Sequence, residues 1–154
     1  MAKKILKIVI VLVVILLFYM AACFAYKQRS FAPYERKAQE FSQRLLDDAA
    51  FREENKNTYV DAHRSSDPFT PSGLINVVNN CVTFNIRPQI FGGWYVTVFI
   101  DDKPGGRTIA EFDIDEKGKL LSSDKKQEYA EHYEEVLETM KLTNEIFGKI
   151  FTIQ

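Results

Sequence analysis

Nineteen consecutive residues, Ile8 to Tyr26, carry no charge and are mostly Ile, Val, Leu and Phe, directly behind Lys3, Lys4 and Lys7. As a helix rising about 1.5 Å per residue the run spans roughly 28 Å, close to the hydrocarbon thickness of a bilayer. Lipid is therefore its expected solvent, and residues 8–26 read as an uncleaved transmembrane signal-anchor. A cleaved secretory signal could use Ala21-Ala22, but signal cores run to about 7–15 residues, and Phe24, Ala25 and Tyr26 extend this one. A lipoprotein reading would use Met20-Ala21-Ala22-Cys23, although such signals carry Leu where Met20 stands and continue into a polar tether. Pilins place a Glu inside the apolar helix, and this run has none.

The positive-inside comparison is nearly tied, with Lys3, Lys4 and Lys7 on one side and Lys27, Arg29, Arg36 and Lys37 on the other. Short basic tails leading straight into a long apolar run stay cytoplasmic. The expected layout is thus a cytoplasmic tail at 1–7, the span at 8–26, a linker at 27–33 and an extracytoplasmic domain at 34–154. The implied location is a bacterial-type inner (plasma) membrane, crossed once, with the periplasmic domain outside the cytoplasm.

That domain is long enough to bury one core without staples. The chain has 20 basic and 21 acidic residues; setting aside Lys3, Lys4 and Lys7 leaves 17 against 21, a balance of −4. Nucleic-acid binding needs a clustered basic face, so no nucleic-acid partner is expected. Outside the apolar run the one cysteine is Cys81, which cannot form a disulfide within the domain and is expected to be buried.

Pro33 suits the first turn of a helix. From Tyr34 to about Asn55 the residues Tyr34, Ala38, Phe41, Leu45 and Ala49 recur at spacings of three and four, one face of a helix. A polar stretch, 56–71, reads as a surface loop, and Thr70 or Ser72 could cap a short helix carrying Leu74, Val77 and Val78. Val82, Phe84 and Ile86 alternate with polar residues, Trp94 to Ile100 is β-rich, and Ala110, Phe112 and Ile114 alternate with Glu111, Asp113 and Asp115. Leu120-Leu121 could add a short last strand. Ser123 or Asp124 would then cap a final helix whose stripe is Tyr129, Tyr133, Val136, Leu137, Met140 and Phe147. The expected fold class is α+β: a transmembrane helix, then a small antiparallel meander of three to four strands covered by two long amphipathic helices.

Candidates for chemistry each have a plainer explanation. Asp61, His63, Ser65, Ser66 and Asp67 contain the residue types of a hydrolase, but a triad needs hydrogen-bond geometry that sequence neighbours seldom reach. His63 and His132 lie far apart with no cysteine spaced for zinc. Asp113, Asp115, Gly118 and Asp124 overlay a calcium-loop spacing, yet Lys117 stands where a ligand oxygen belongs and a strand precedes the loop. Pro104-Gly105-Gly106-Arg107 lacks the Lys-Ser/Thr pair and following helix of a phosphate cradle. No catalytic residue, cofactor or metal is expected. If Trp94, Val96 and Val98 face the core, then Tyr95, Thr97 and Phe99 form an unusually apolar second face, expected to lie under a helix or else to bind a partner. The candidate binding surface is Tyr95, Phe99, Asp101, Asp102 and Arg107.

Trp94, Val96 and Val98, followed by Asp115, Gly118 and Leu120, resemble the terminal hairpin of PepSY-type domains, over about thirty residues from Trp94 to Ser122. That resemblance implies an extracytoplasmic binding or protease-inhibiting role, with no catalytic residues to carry over. The expected function is a membrane-anchored protein-binding or inhibitory (immunity-type) module, partnered by the bilayer through residues 8–26 and by a protein at the membrane. Two alternatives belong to other classes: an assembly subunit of an envelope complex, and a small hydrolase using the Asp61–Asp67 stretch.

Overall fold

The structure, a computed structural model, describes residues 2–67, 73–89, 92–101 and 106–153. Its first element, α1 (Ala2–Asp47), is one helix of 46 residues containing Pro33. Residues 8–18 of α1 leave their apolar side chains bare, Leu12 at 59% and Phe18 at 73% exposure, so this helix is long and apolar enough to cross a membrane.

The linker expected at 27–33 is helix. An interior proline removes one backbone donor and crowds the carbonyl four residues back, at about 3 kcal/mol. Packing offsets that cost: Phe31, Ala38 and Phe41 are buried in the core on either side of Pro33. Local chemistry favoured a helix start at Pro33, and tertiary burial of Phe31 carries the helix through it.

The helix expected to run to Asn55 breaks at Asp48. Asp48 takes an extended conformation, and its carboxylate accepts the Ala50 and Phe51 N–H groups at 3.0 Å each, starting α2 (Ala49–Glu54). The break folds Phe51 back onto Phe41, edge to face at 5.3 Å, with the Arg44 guanidinium 3.9 Å from the Phe51 ring centre.

Six strands follow: β1 (Thr58–Arg64), β2 (Gly73–Asn79), β3 (Val82–Pro88), β4 (Trp94–Ile100), β5 (Arg107–Ile114) and β6 (Leu120–Lys125). They form one antiparallel sheet in sequence order, β1 to β6. The expected three or four strands become six because β1 and β2 occupy segments that read as a polar loop and a short helix. In β1 only Val60 and Ala62 are buried, a pattern diluted by Asp61, His63 and Arg64. In β2 the buried residues are Gly73, Ile75 and Val77, a period of two, where the helix reading used Leu74, Val77 and Val78. A two-residue turn joins β2 to β3, with Asn80 at φ 53°, which Asn tolerates better than most residues. Thr70 and Ser72 lie outside the described residues.

A short helix, α3 (Glu128–Glu131), and a longer one, α4 (Tyr133–Phe147), complete the fold, separated at His132. The final helix thus starts later than expected, because residues 120–125 pair with β5. Its buried face is Val136, Thr139, Thr143 and Phe147, while Tyr133 is exposed. The two threonines fit the core because each hydroxyl donates to the carbonyl four residues earlier, at 2.7 Å. Beyond Gly148 the tail returns under the sheet. The Asn144 side chain accepts the N–H groups of Ile150 and Phe151 and donates to the Phe151 carbonyl, at 2.8–2.9 Å. Ile150 and Phe151 are buried, with Phe151 edge-on to Phe84. Cys81 sits half-buried at the β2–β3 turn, less enclosed than expected.

Candidate interaction surface

The sheet has two unlike faces. Residues Val60, Ile75, Val77, Phe84, Ile86, Val96, Val98 and Phe112 point to the side occupied by α1, α4 and the tail, and every one is buried. The helices and the tail reach this side through Tyr34 on Trp94, Tyr129 on Phe112 and, from the tail, Phe151 on Phe84. Among the described residues no helix lies over the other side. The helix expected to cover Tyr95, Thr97 and Phe99 is therefore not there; both long helices are used on the core face, where the larger apolar side chains lie.

Strand register lays this uncovered face out in rows. One row runs Tyr59, Val78, Thr83, Phe99 and Thr108 across β1 to β5. It is the more apolar row, with Tyr59 at 57% exposure and Val78 and Phe99 half-buried. The next runs Asp61, Asn76, Asn85, Thr97, Glu111 and Asp124 across all six strands. A third includes Arg87, Tyr95, Asp113 and Ser122 on β3 to β6. Asp113 accepts from Gln89 at 2.9 Å and Ser122 at 3.0 Å. A hydrogen bond to the Glu111 carboxylate pushes the Tyr95 phenol pKa up, because losing that proton would set two anions side by side. Asn76 Oδ1, at the centre of the face, is shielded from solvent with no hydrogen-bond partner among the described residues.

The candidate set is only partly brought together. Tyr95 and Phe99 share the uncovered face on either side of Thr97. Asp101 is exposed where β4 ends, its N–H bonded to the Cys81 carbonyl at 2.9 Å. Asp102 lies outside the described residues. Arg107 turns to the helix side, in register with buried Ile100, and its guanidinium meets Glu128 at 3.3 Å. The cause is a β-bulge between Val98 and Phe99, where the register shifts and both Ile109 and Ala110 become buried. Sequence reading also missed Tyr59, Val78 and Asn76, because it did not assign β1 and β2. The alternation in Leu74–Asn79 was the available signal.

The hydrolase candidates divide as well. His63 Nδ1 and Asp61 Oδ2 lie 3.0 Å apart on β1, with side-chain exposures of 58% and 42%, out in solvent. Ser65 Oγ accepts the Asp67 N–H at 3.2 Å, within the connection after β1. Asp115 holds a tight turn, its carboxylate accepting the N–H groups of Lys117 and Lys119 at 2.8 Å, with Gly118 at φ 81°. This is the hairpin turn with acidic shoulders, and one of the ligand oxygens a calcium loop would need serves the backbone instead. Among the described residues no three His, Cys, Asp or Glu side chains gather closely enough to hold a metal ion. On the helix side, a groove of about 620 Å³ lies between α1, α2 and α4, lined by Phe41, Arg44, Phe51, Leu142 and Ile146 among others. No protein-family model matches the chain, and comparison with curated proteins and with solved structures returns no match.

Proposed function

We propose that this chain is a membrane-anchored, non-catalytic module that binds a protein partner through the uncovered face of its sheet. The observation that carries the reading is the Tyr59–Val78–Thr83–Phe99–Thr108 row, in which Tyr59, Val78 and Phe99 alternate with threonines on a face with no helix over it among the described residues. Open sheet faces are ordinarily polar, and large apolar side chains set among uncharged threonines with a polar margin suit a docking surface. The anchor confines the module to two dimensions and raises its effective concentration near membrane targets. The domain lies outside the cytoplasm of a bacterial-type inner membrane, and the partner is a toxin, hydrolase or protease that the module inhibits, in keeping with the PepSY-like hairpin.

Site-specific photo-crosslinking in native membranes tests this. A crosslinker at Phe99 or Thr83 should capture one protein, and one at Leu46, exposed on α1, should not. His63→Ala and Ser65→Ala should leave that capture intact. Equal labelling from Phe99 and Leu46, or none from either, would refute the assignment of the face.

A further inference from the structure

Which end of the sheet points back towards the apolar segment follows from three contacts. Glu35 binds Arg64 at the end of β1 at 2.7 Å, Phe31 lies against Gly73 at the start of β2, and Tyr34 meets Trp94 at the start of β4. In an antiparallel meander the ends of β1, β3 and β5 and the starts of β2, β4 and β6 therefore all lie at this same end. No spacer separates it from the apolar run, because α1 is continuous. Tyr34 stands eight residues past Tyr26, about 12 Å along the axis. The fold meets the outer part of the run, where Cys23 is 5% exposed. Tyr26 is half-exposed at the outer end of the run, where tyrosines mark a bilayer interface.

This near rim carries exposed cations. Lys117 and Lys119 project from the β5–β6 turn, Arg87 from the end of β3, Lys149 from the tail beside that turn, and Arg29 from α1. The tail is tied there by the Thr152 N–H to the Gly118 carbonyl, 2.8 Å. The acids at this end are Glu35, Asp67, Asp113, Asp115 and Glu116, of which Glu35 pairs with Arg64 and Asp113 accepts from Gln89 and Ser122. Asp115 is committed to the turn's backbone, and Glu116 lies over Gly92.

We infer that this rim, Arg29, Arg87, Lys117, Lys119 and Lys149, rests on anionic phospholipid headgroups and sets the height and tilt of the binding face. The inference rests on the anchor reading above, and it names a second, electrostatic contact with lipid. Each lysine close to an anionic surface favours the seated state by about fivefold.

Trp94, the one tryptophan, stands at this rim and reports on it. The full chain is reconstituted in nanodiscs of phosphatidylcholine, with or without phosphatidylglycerol, at a constant fraction of zwitterionic headgroup-spin-labelled lipid. Trp94 quenching should rise about twofold or more with the anionic lipid and return to the neutral-disc level near 1 M salt, where screening falls to about 3 Å. Lys117→Glu with Lys119→Glu should abolish the rise while leaving the circular dichroism unchanged; the salt series needs no variant and stands alone if that pair misfolds. Equal quenching in the two lipid compositions at low salt overturns the rim contact. Failure of the chain to float with vesicles of either composition sinks the anchor reading instead.

Discussion

Phe31 and Gly73 form the joint between the long helix and the sheet, and substituting them alone and together tests whether the two are packed as described. Phe31 is 1% exposed, and a methyl group at Gly73 would come within 2.6 Å of both the Phe31 Cζ and the His63 carbonyl oxygen. Ordinary contact begins near 3.4 Å. Gly73→Ala should therefore cost about 1–3 kcal/mol through overpacking. Phe31→Ala should cost about 3–5 kcal/mol through lost burial and a cavity. In the double variant one of the two obstructing neighbours is gone and the new methyl partly fills the space, while the His63 carbonyl still resists it. The combined cost should thus fall short of the sum by about 1–2 kcal/mol, within the range seen for residues in contact. Thermal unfolding of the full chain in micelles, followed by Trp94 fluorescence, gives the readout. A chain of this size should shift about 2–4 °C per kcal/mol. Strict additivity would mean that Phe31 does not occupy the space above Gly73, and the helix-to-sheet docking would have to be redrawn.

Three further outcomes concern the tail and the tyrosines. Asn144→Ala removes three hydrogen bonds to the tail and should cost about 1–3 kcal/mol, releasing residues 149–153 to carboxypeptidase, whereas Asn144→Asp keeps both acceptor contacts and should lose less. Burial raises the pKa of Tyr34 and of Tyr129, and the Glu111 hydrogen bond raises that of Tyr95. Unfolded tyrosines ionise near 10.0. Above that pH the folded chain holds protons that the unfolded chain has released, so stability is intact below pH 10 and falls as pH rises through the folded values. Glu111→Gln should move the Tyr95 phenolate transition down, read by ultraviolet titration; no movement would remove Glu111 as its cause.

Much of the fold was legible locally. The apolar run, the helix stripe through Ala38 and Phe41, and the alternation in β3, β4 and β5 are periodic signals strong enough to survive context. β1 and β2 escaped because their uncovered faces hold Asp61, His63 and Asn76, and because Leu74, Val77 and Val78 fit helical spacing as well as strand spacing. Thr139 and Thr143 escaped because a polar residue enters a core once its hydroxyl is satisfied within its own helix. In the candidate surface, Tyr95 and Phe99 were found by alternation along one strand. Tyr59, Val78 and Asn76 became their neighbours only through register across strands.

Periodicity and length, which belong to consecutive residues, were enough to establish an apolar N-terminal helix followed by an α+β domain. They could not decide whether Pro33 begins a helix or lies within one, since that depends on Phe31 finding its site beside Gly73, more than forty residues away. Nor could they decide on which side Arg107 emerges, because one bulge in β5 reverses every side chain beyond it. Pairing across strands and the choice of which sheet face the helices cover arise from contacts between distant segments. Only the folded chain contains them.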